Sequence, residues 1–215
     1  MPLAEKPIAL APRPEGPRKR ATRRRRASIL DAALQLFGEQ GYGATSLRDV
    51  AQRVGITHTG VIYHFPTKEA LLEAVLDRRD EEVSRYYELR ADDPVAVLRN
   101  LVSIAQENEQ QRETVELFAT LAAEATDQDH PAHDYFVRRY TGLLGFLEEK
   151  LTEAQEHGLL RDSEMTPRTM AQEIVAVMDG LQLQWLLRPD SLRLSESVRR
   201  YLQRFVTIDL STVNP

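Results

Sequence analysis

Cysteine is absent from this chain of 215 residues. Its absence excludes disulfide bonds and thiolate metal sites, and it suits a reducing cytoplasm. Long apolar runs are absent as well, since no segment reaches the roughly 18 consecutive apolar residues of a membrane span. The N-terminus contains prolines and Glu5 where a signal peptide needs an apolar run. We therefore expect no export, no membrane contact and a cytoplasmic location.

The sequence has little that points to catalysis. It contains no Walker loop, no GxGxxG segment, no cysteine nucleophile and no Ser/His/Asp set that spacing would single out. His130, His133 and Asp134 have a passing likeness to a metal cluster, but Pro131 is predicted to begin a helix between the histidines. We therefore predict a protein that is not an enzyme and that holds no metal and no cofactor.

Charge is divided unevenly along the chain, whose net charge is −5. Residues 1–68 hold 12 Lys plus Arg against 5 Asp plus Glu, whereas residues 69–215 hold 16 against 28. Only the amino-terminal third should therefore attract a polyanion such as DNA. The alternative is a solvated basic tail on an acidic domain.

The basic residues are concentrated from Arg18 to Arg26, where seven of nine positions are Lys or Arg. Such an arm can follow DNA phosphates or reach into a narrow minor groove, and we favour this role for Arg23, Arg24 and Arg25. The alternative is that the segment forms only the charged first turns of helix 1. Residues 1–17 contain five prolines, which predicts a disordered leader.

Two short helices are predicted in the segment SLRDVAQRVGITHTGVIYHF. Apolar residues recur at helical spacing from Leu47 to Val54, and Ser46 with Asp49 forms a capping box. Gly55 ends this helix, because glycine adopts a left-handed conformation without a Cβ clash. Thr57 can cap a second helix at once, so the two helices must cross steeply. The pattern predicts a helix-turn-helix whose second helix enters a DNA major groove.

The rest of the chain shows helical periodicity and no convincing strand, so the predicted fold class is all-α with about nine helices. Helix 1 places Ile29, Ala33, Leu36 and Phe37 on one face. Further helices are predicted at Lys68–Arg90, Pro94–Asn108, Thr114–Ala125, Pro131–His157, Pro167–Leu187 and Leu192–Val206.

The segment from Asp31 to Leu72 resembles the N-terminal DNA-binding domain of the TetR-type transcriptional repressors. The matching pieces are LFGEQGYGATS, LRDVAQRVGI and HFPTKEALL, which stand in the family's order and spacing. The segment DGLQLQWLLRPD, from Asp179 to Asp190, also resembles regulatory domains of actinomycete-like members. The resemblance therefore covers the chain after its first twenty residues.

Base edges must be met by donors and acceptors near the exposed start of the second helix, a requirement that Thr57, His58 and Thr59 fulfil. The resemblance implies base contacts for these residues and for Gly60. Because histidine changes charge near neutrality, we expect tighter operator binding near pH 6 than near pH 8, and loss of this difference in His58→Ala. Ordinary alternatives are helix capping by Thr57, solvated side chains at His58 and His64, and a Tyr63 that covers the small core.

Further contacts to phosphates or bases are expected around the two short helices. Three of the residues concerned open helices, whose N-termini suit a phosphate, and the resemblance implies the others. The family frequently has a tyrosine where this chain has Ile62, which either packs inside or touches a thymine methyl group. The expected contacts are Thr45, Ser46, Arg48, Tyr63, His64 and Lys68.

One such domain offers few contacts, and doubling the half-site on a pseudo-palindromic operator is the usual remedy. The last two predicted helices carry more apolar surface than one subunit's interior is expected to cover. Packed against a symmetry mate they would form a four-helix interface, which the resemblance also implies. The alternative is a monomer with a large core. The predicted interface residues are Met170, Ile174, Val177, Met178, Leu181, Trp185, Val198, Tyr201, Leu202 and Phe205.

The resemblance also implies a small-molecule effector bound among the C-terminal helices, with the predicted helix Lys68–Arg90 changing the separation of the two DNA-binding helices. Aromatic residues at helical spacing fit an ordinary core as well, and the sequence does not identify the effector. The candidate lining residues are Tyr86, Tyr87, Phe118, Leu121, Glu124, His133, Tyr135, Phe136 and Tyr140.

These features predict a disordered leader at residues 1–17, a helix-turn-helix domain with a basic arm at residues 18–66, and a ligand-sensing and dimerisation domain at residues 67–215. The predicted function is sequence-specific DNA binding by a transcriptional regulator, by analogy a repressor that a small molecule releases from its operator. The alternative is a helical dimeric module that binds or sequesters ligands and uses its basic region for an acidic partner.

Overall fold

The computed structural model describes residues 16–88, 93–161 and 164–211, without the side chains of residues 82–88. Within these residues the chain forms nine α-helices, one 3₁₀-helix and an isolated antiparallel bridge between Leu160 and Val206, which confirms the all-α prediction. The helices are α1 (Pro17–Gln40), α2 (Leu47–Val54), α3 (His58–His64), α4 (Lys68–Glu88), α5 (Pro94–Asn108), α6 (Arg112–Glu124), α7 (His133–Glu156), α8 (Pro167–Leu187), the 3₁₀-helix (Pro189–Ser191) and α9 (Leu194–Leu202).

The predicted helix bounds agree for α5 and α8 and differ for α6, α7 and α9, whereas α4 begins at Lys68 as predicted and its predicted end at Arg90 lies outside the described residues. Helix α7 begins at His133 and not at Pro131, because the preceding residues form turns in which the His133 amide donates to the His130 carbonyl at 2.8 Å. Helix α9 ends at Leu202 because the chain turns there and continues along the segment that follows α7. The leader predicted at residues 1–17 lies outside the described residues except for Gly16 and Pro17, and Pro17 begins α1.

The first hydrophobic core is built from α1 to α4 and extends into the C-terminal helices. Phe37 of α1 and Leu71 of α4 are fully buried in it. The same cluster includes Leu117 and Leu121 of α6 and Phe136 of α7. The helix-turn-helix part therefore packs directly on α6, and the division of the chain at residues 66 and 67 stays a prediction.

The second core lies among α5, α7, α8 and α9. Leu101 of α5 and Leu151 of α7 are buried there against the last two helices. This packing corrects the interface prediction for five residues, because their own chain already covers them. The five are Met170, Ile174, Trp185, Val198 and Leu202.

The turn between α6 and α7 uses the two histidines of the candidate metal cluster. His130 Nδ1 accepts the Ala132 amide at 3.2 Å, and His133 Nδ1 lies 2.9 Å from the Ala125 carbonyl oxygen. Among the described residues, no group of three or more His, Cys, Asp or Glu side chains is arranged to hold a metal ion. In the same part of the chain, no helix combines the length and the apolar character needed to cross a membrane.

Candidate DNA-binding surface and ligand cavity

Helix α2 is fixed at both ends by the residues that the sequence pattern indicated. The Ser46 amide donates to Asp49 Oδ2 at 2.8 Å, and the Asp49 amide donates to Ser46 Oγ at 3.3 Å, which completes the capping box. Gly55 ends the helix at φ 72°, in the left-handed region that favours glycine. The two short helices and the turn at Gly55 therefore confirm the helix-turn-helix prediction.

Helix α3 presents a polar surface on a small apolar anchor. Val61 is buried, whereas Thr59 is exposed and Tyr63 is 80% exposed. Ile62 is 40% exposed, so it lies on the surface and is not packed inside. The side chains of this face are therefore free to approach a DNA groove.

The Thr57 cap of α3 favours glycine at position 60. Thr57 caps α3 by accepting the Gly60 amide at 3.1 Å. A Cβ on Gly60 would lie 3.3 Å from Thr57 Oγ1, which is tighter than ordinary packing. The missing side chain thus leaves room for the cap, whether or not a base comes close.

The C-terminal end of α3 is joined electrostatically to α1. The Arg26 guanidinium stacks over the Phe65 ring at 4.8 Å, and the His64 and Tyr63 rings pack edge to face at 5.1 Å. Partial burial, followed by the positive charges of Arg26 and Arg25, lowers the pKa of His64. His64 therefore favours its neutral form while no anion is bound beside these arginines.

The basic segment predicted as an arm forms the first turns of α1. Residues 16–28 are exposed throughout, including Arg23, Arg24 and Arg25. The first turn contains no acidic residue, so positive charge accumulates at the end of the helix where the macrodipole is also positive. Such an arrangement is favourable only beside an anion. DNA contact by these arginines stays a prediction, with a helical geometry in place of an extended one.

Two predicted phosphate contacts, Lys68 and Thr45, are corrected because these residues stabilise the turn between α1 and α2. Lys68 Nζ donates to the carbonyl oxygens of Tyr42, Gly43 and Thr45 at 2.8, 3.3 and 2.9 Å. An ammonium group has three N–H donors, so none is left for a phosphate. Thr45 is 2% exposed, and its hydroxyl contacts the carbonyl oxygens of Leu36 and Gly41.

The N-terminus of α2 is less suited to a phosphate than the sequence suggested. Ser46 is exposed, but both its amide and its hydroxyl donate to the Asp49 carboxylate. Hydrogen bonds from Ser46 lower the pKa of Asp49, so this carboxylate is charged near neutral pH and repels a phosphate. Arg48, one position further, is exposed and carries the positive charge on this surface.

A cavity of about 400 Å³ lies between α5, α6, α7 and α8, within the range of small-molecule sites. Three predicted residues line it: Phe118, Phe136 and Tyr140. Most of the remaining wall is apolar and comes from all four helices. These apolar lining residues include Leu101, Ile104, Val115, Ala119, Ala122, Leu143, Leu147, Val175, Met178 and Leu183. Met178 therefore faces the cavity and the second core, which corrects its place in the predicted interface.

Polar groups stand at two places on the cavity wall. Arg79 of α4 is buried and donates to Asn108 Oδ1 at 3.0 Å. Arg139 of α7 pairs with Asp80 and stacks over the Phe118 ring at 5.1 Å. These contacts join the middle of α4 to the cavity.

The second polar place lies between α7 and α8, where the Tyr140 hydroxyl donates to Asp179 Oδ2 at 2.8 Å. Removal from water and the neighbouring carboxylate raise the pKa of Tyr140 to about 12, so it remains a donor. Desolvation raises the pKa of Asp179, although the hydrogen bond from Tyr140 and the charge of Arg139 lower it.

Four other candidate lining residues do not reach this cavity. Leu121 is buried in the first core, and Glu124 Oε2 accepts the Tyr42 amide at 3.4 Å. His133 lies at the start of α7, and Tyr135 is packed with the first core. The side chains of Tyr86 and Tyr87 lie outside the described residues.

Family models match both parts of the chain. Residues 29–75 match the model of bacterial regulatory proteins of the tetR family. Residues 94–207 match the C-terminal part of the BetI-type transcriptional repressors, which is more than half of the chain. The chain belongs to the TetR family of bacterial regulatory proteins. It is therefore a DNA-binding transcriptional regulator, in a family whose members are regulators and not enzymes.

Relatives support the TetR-family assignment over different lengths. The transcriptional regulator AcrR of Shigella flexneri is 26% identical over 195 residues, which cover 86% of this chain and 88% of AcrR. RutR of Escherichia coli is 43% identical over only 61 residues, or 28% of this chain and 29% of RutR. Identity is thus higher over the short match than over the nearly full-length one.

Solved structures share the TetR-family fold. A transcriptional regulator from Agrobacterium tumefaciens has a TM-score of 0.75 at 23% identity, covering 86% of this chain and 99% of that one. SmeT represses the multidrug efflux pump SmeDEF in Stenotrophomonas maltophilia. The SmeT–triclosan complex has a TM-score of 0.73 at 22% identity, covering 89% of this chain and 96% of that one.

Several cavity residues of this TetR-family regulator escaped sequence analysis. Arg79, Asn108 and Arg139 come from three different helices, and Asp179 comes from a fourth. Helical periodicity marks which face of a helix is apolar, but it does not reveal where packed faces leave a void. The one available signal was a charged residue beside apolar positions, as at Asp179 between Met178 and Gly180.

The outer face of α7 and α8 carries the most exposed large apolar side chains of the C-terminal helices. Leu187 is 75% exposed, Leu183 54% and Val137 of α7 52%. Val177 and Leu181 are half-buried, and Leu181 packs against the second core. A Cβ on Gly180 would meet nothing within 4 Å, so the chain itself gives no steric reason for this helix-interior glycine.

Proposed function

We propose that this TetR-family chain is a homodimeric repressor that leaves a pseudo-palindromic operator when a small molecule occupies the cavity. The observation that carries the proposal is the double role of α6. Phe118 and Ala122 of α6 line the cavity, whereas Leu117 and Leu121 are buried against the helix-turn-helix part. A ligand that displaces α6 therefore acts on α1, and its effect equals its differential affinity for the two arrangements.

Operator recognition is assigned to the exposed face that begins at the first turn of α3. Thr57, His58, Thr59 and Gly60 would approach base edges, because this end of the second helix enters the major groove. Side chains around it supply the sequence-independent attraction to phosphates. They are Arg23, Arg24, Arg25, Arg48, Tyr63 and His64.

Dimerisation is assigned to α7 and α8 and not to α9, whose apolar face is covered by its own chain. Leu183, Leu187 and Val137 form an exposed apolar patch, and such patches mark contact surfaces. Leu181 packs against the second core of its own chain and is not part of this patch, whereas Val177 stays an interface prediction. Tyr201 donates to Glu173 at 3.1 Å and Phe205 packs on the Tyr201 ring at 5.1 Å, so both residues have partners within their own chain and the proposed interface does not include them.

The effector that suits the cavity is a mainly apolar molecule with an aromatic part. Phe118, Phe136 and Met178 offer aromatic and polarisable contacts, and the Tyr140–Asp179 pair offers a polar anchor. SmeT, a structural relative, binds the aromatic compound triclosan. The identity of this chain's own effector is left to experiment.

Operator binding is tested with duplexes selected from genomic fragments and measured by fluorescence anisotropy. A dimer making six to ten phosphate contacts should lose roughly 10³ to 10⁵ in affinity between 50 and 200 mM salt while preferring its selected sequence. Thr59→Ala should weaken selected binding by about tenfold, whereas the matched change Thr152→Ala on exposed α7 should not. Equal affinity for all duplexes would favour the acidic-partner alternative.

The effector route is tested without knowing the effector. Ala122 is half-buried and lines the cavity, so Ala122→Trp places a large aromatic group in the space where a ligand would lie. We expect operator affinity to fall at least about tenfold, or 1.4 kcal/mol, with helicity by circular dichroism retained. Unchanged affinity in a folded variant whose cavity is filled would contradict control through α6.

A further inference from the structure

The ligand cavity reaches the surface of the molecule along α8. Asp179 and Leu183 both line the cavity and are both exposed to solvent. They stand one helical turn apart, so they lie on the same edge of α8. These two residues therefore form one mouth of the cavity, which we call the α8 mouth.

The α8 mouth adjoins the apolar patch assigned to the dimer. Leu183 belongs to both, and Leu187 follows it by one turn on the same side of the helix. Ala176 and Gly180 precede them along this side, and open space lies beside Gly180. A helix of another molecule can therefore approach α8 closely at the mouth. Val137 extends the apolar surface onto α7.

We propose that the partner subunit closes the α8 mouth, so that each ligand site is complete only in the dimer. The inference rests on the proposed homodimer. A twofold interface brings the same patch of both copies together, so each copy covers the mouth of the other. The occupant we infer is therefore a second copy of this chain, whose small and apolar α8 face matches itself.

The Tyr140–Asp179 hydrogen bond gives this closure a chemical consequence. It spans 2.8 Å between α7 and α8 beside the mouth. Covering the pair excludes water from it and strengthens the polar contact that a ligand can make there. A ligand enclosed in this way binds the dimer more tightly than the monomer, and by linkage it stabilises the dimer.

The absence of cysteine allows a direct test with single introduced thiols. Met178→Cys places a thiol inside the cavity, on the side of α8 that also carries buried Ile174, so the partner cannot cover it by direct contact. Ala123→Cys is the matched control, because Ala123 is exposed and lines the cavity from α6. Modification by 5,5′-dithiobis(2-nitrobenzoate) is followed above and below the dimer dissociation constant, with light scattering to count subunits.

Dimerisation should slow modification of the thiol in Met178→Cys by at least about twofold and leave the control thiol unchanged, because thiol reactivity follows access and closure of the α8 mouth leaves only the opening beside exposed Ala123. Leu187→Glu, which places a charge in the patch, should restore the fast rate at high concentration. Should that variant lose its helicity, simple dilution supplies the monomer. Equal rates for the inner thiol in monomer and dimer overturn the inference, as does a chain that never dimerises. Neither rate depends on an effector, so failure here is distinguishable from failure of the Ala122→Trp operator test.

Discussion

Gly38 of α1 packs so closely on α6 that a Cβ at this position would lie 3.2 Å from the carbonyl oxygen of Glu113. The neighbouring Leu117 amide nitrogen would lie at 3.4 Å. Both atoms belong to the backbone of a helix, which cannot yield as a flexible side chain would. The close approach therefore fixes the distance between the DNA-binding part and the helix that forms the cavity wall.

Gly38→Ala should separate α1 from α6. The added methyl group costs about 1–3 kcal/mol of overpacking, against a gain of at most about 1 kcal/mol in helix propensity. We expect a lower urea midpoint and altered operator affinity. Gly145→Ala on α7, where a Cβ would meet nothing within 4 Å, is the comparison for propensity alone. A more stable Gly38→Ala protein with normal operator binding would show that α6 does not restrain α1.

Lys68 should matter for stability more than for DNA affinity. Lys68→Met keeps the apolar length of the side chain but removes the ammonium group that lies 4.1 Å from the centre of the Tyr42 ring and donates to three carbonyl groups, so we expect a loss of about 2 kcal/mol. Urea denaturation measures this loss, and exposed Lys19→Met supplies the same change of charge. If the variant instead has normal stability and its operator affinity depends less on salt than that of the natural protein, Lys68 contacts a phosphate as the sequence predicted.

The sequence was most informative where the determinants were local. The caps at Ser46 and Thr57 and the left-handed Gly55 each need only neighbouring residues, so both short helices were predicted correctly. Lys68 was misassigned because its three carbonyl partners are grouped in space only by the turn at residues 42–45. A helix start and a basic residue look the same in sequence whether the charge faces a phosphate or the protein itself.

The lack of spatial information in the sequence also explains why the interface was wrongly predicted on α9. Its apolar spacing showed that one face must be covered, but spacing does not say whether α5 or a second subunit covers it. Leu202 is buried by its own chain, whereas Leu187, outside the predicted set, is 75% exposed. Cavity residues such as Arg79 and Asp179 are far apart in the chain, and only the packed helices bring them to one site.

Leu202→Ala should therefore lower the stability of each subunit, whereas Leu187→Ala should weaken the dimer. Truncating buried Leu202 leaves a void in the second core and should cost about 2–5 kcal/mol in unfolding free energy without weakening the interface directly. Truncating exposed Leu187 should barely change the stability of one subunit but should raise the dimer dissociation constant. Urea denaturation and analytical ultracentrifugation measure the two quantities. If Leu202→Ala weakens the dimer and Leu187→Ala does not, the interface lies on α9 as the sequence predicted.

Operator affinity should rise as pH falls, because DNA binding favours protonated His64. In the free protein burial and Arg26 lower the pKa of His64, so protonation of the unfolded chain below about pH 6.5 reduces stability. Phosphates beside Arg25 and Arg26 offset these positive charges, which raises the pKa of His64 in the complex. Each proton taken up adds at most about tenfold in affinity per pH unit.

Anisotropy titrations from about pH 5.5 to about pH 8 measure this proton uptake. His64→Asn should flatten the profile, whereas His58→Ala, the change that the sequence predicts to remove the pH difference, should leave the part that His64 supplies. Circular dichroism at each pH separates weaker binding from acid unfolding. A profile abolished by His58→Ala alone would leave His64 without a role in proton uptake.

The exposed basic turns of α1 should contribute to binding through phosphates. Replacing Arg23, Arg24 and Arg25 together by alanine should reduce the slope of log affinity against log salt by about 0.9 for each arginine that meets a phosphate, or nearly 3 per subunit. Exposed arginines of the C-terminal part provide a control with the same change in net charge: Arg168, Arg188 and Arg200. Alanine has the highest helix propensity, and the substitutions remove positive charge from a helix N-terminus, so they favour the helix itself. A smaller slope therefore reports the removal of arginine–phosphate pairs and not fraying, whereas an unchanged slope would mean that these turns do not touch DNA.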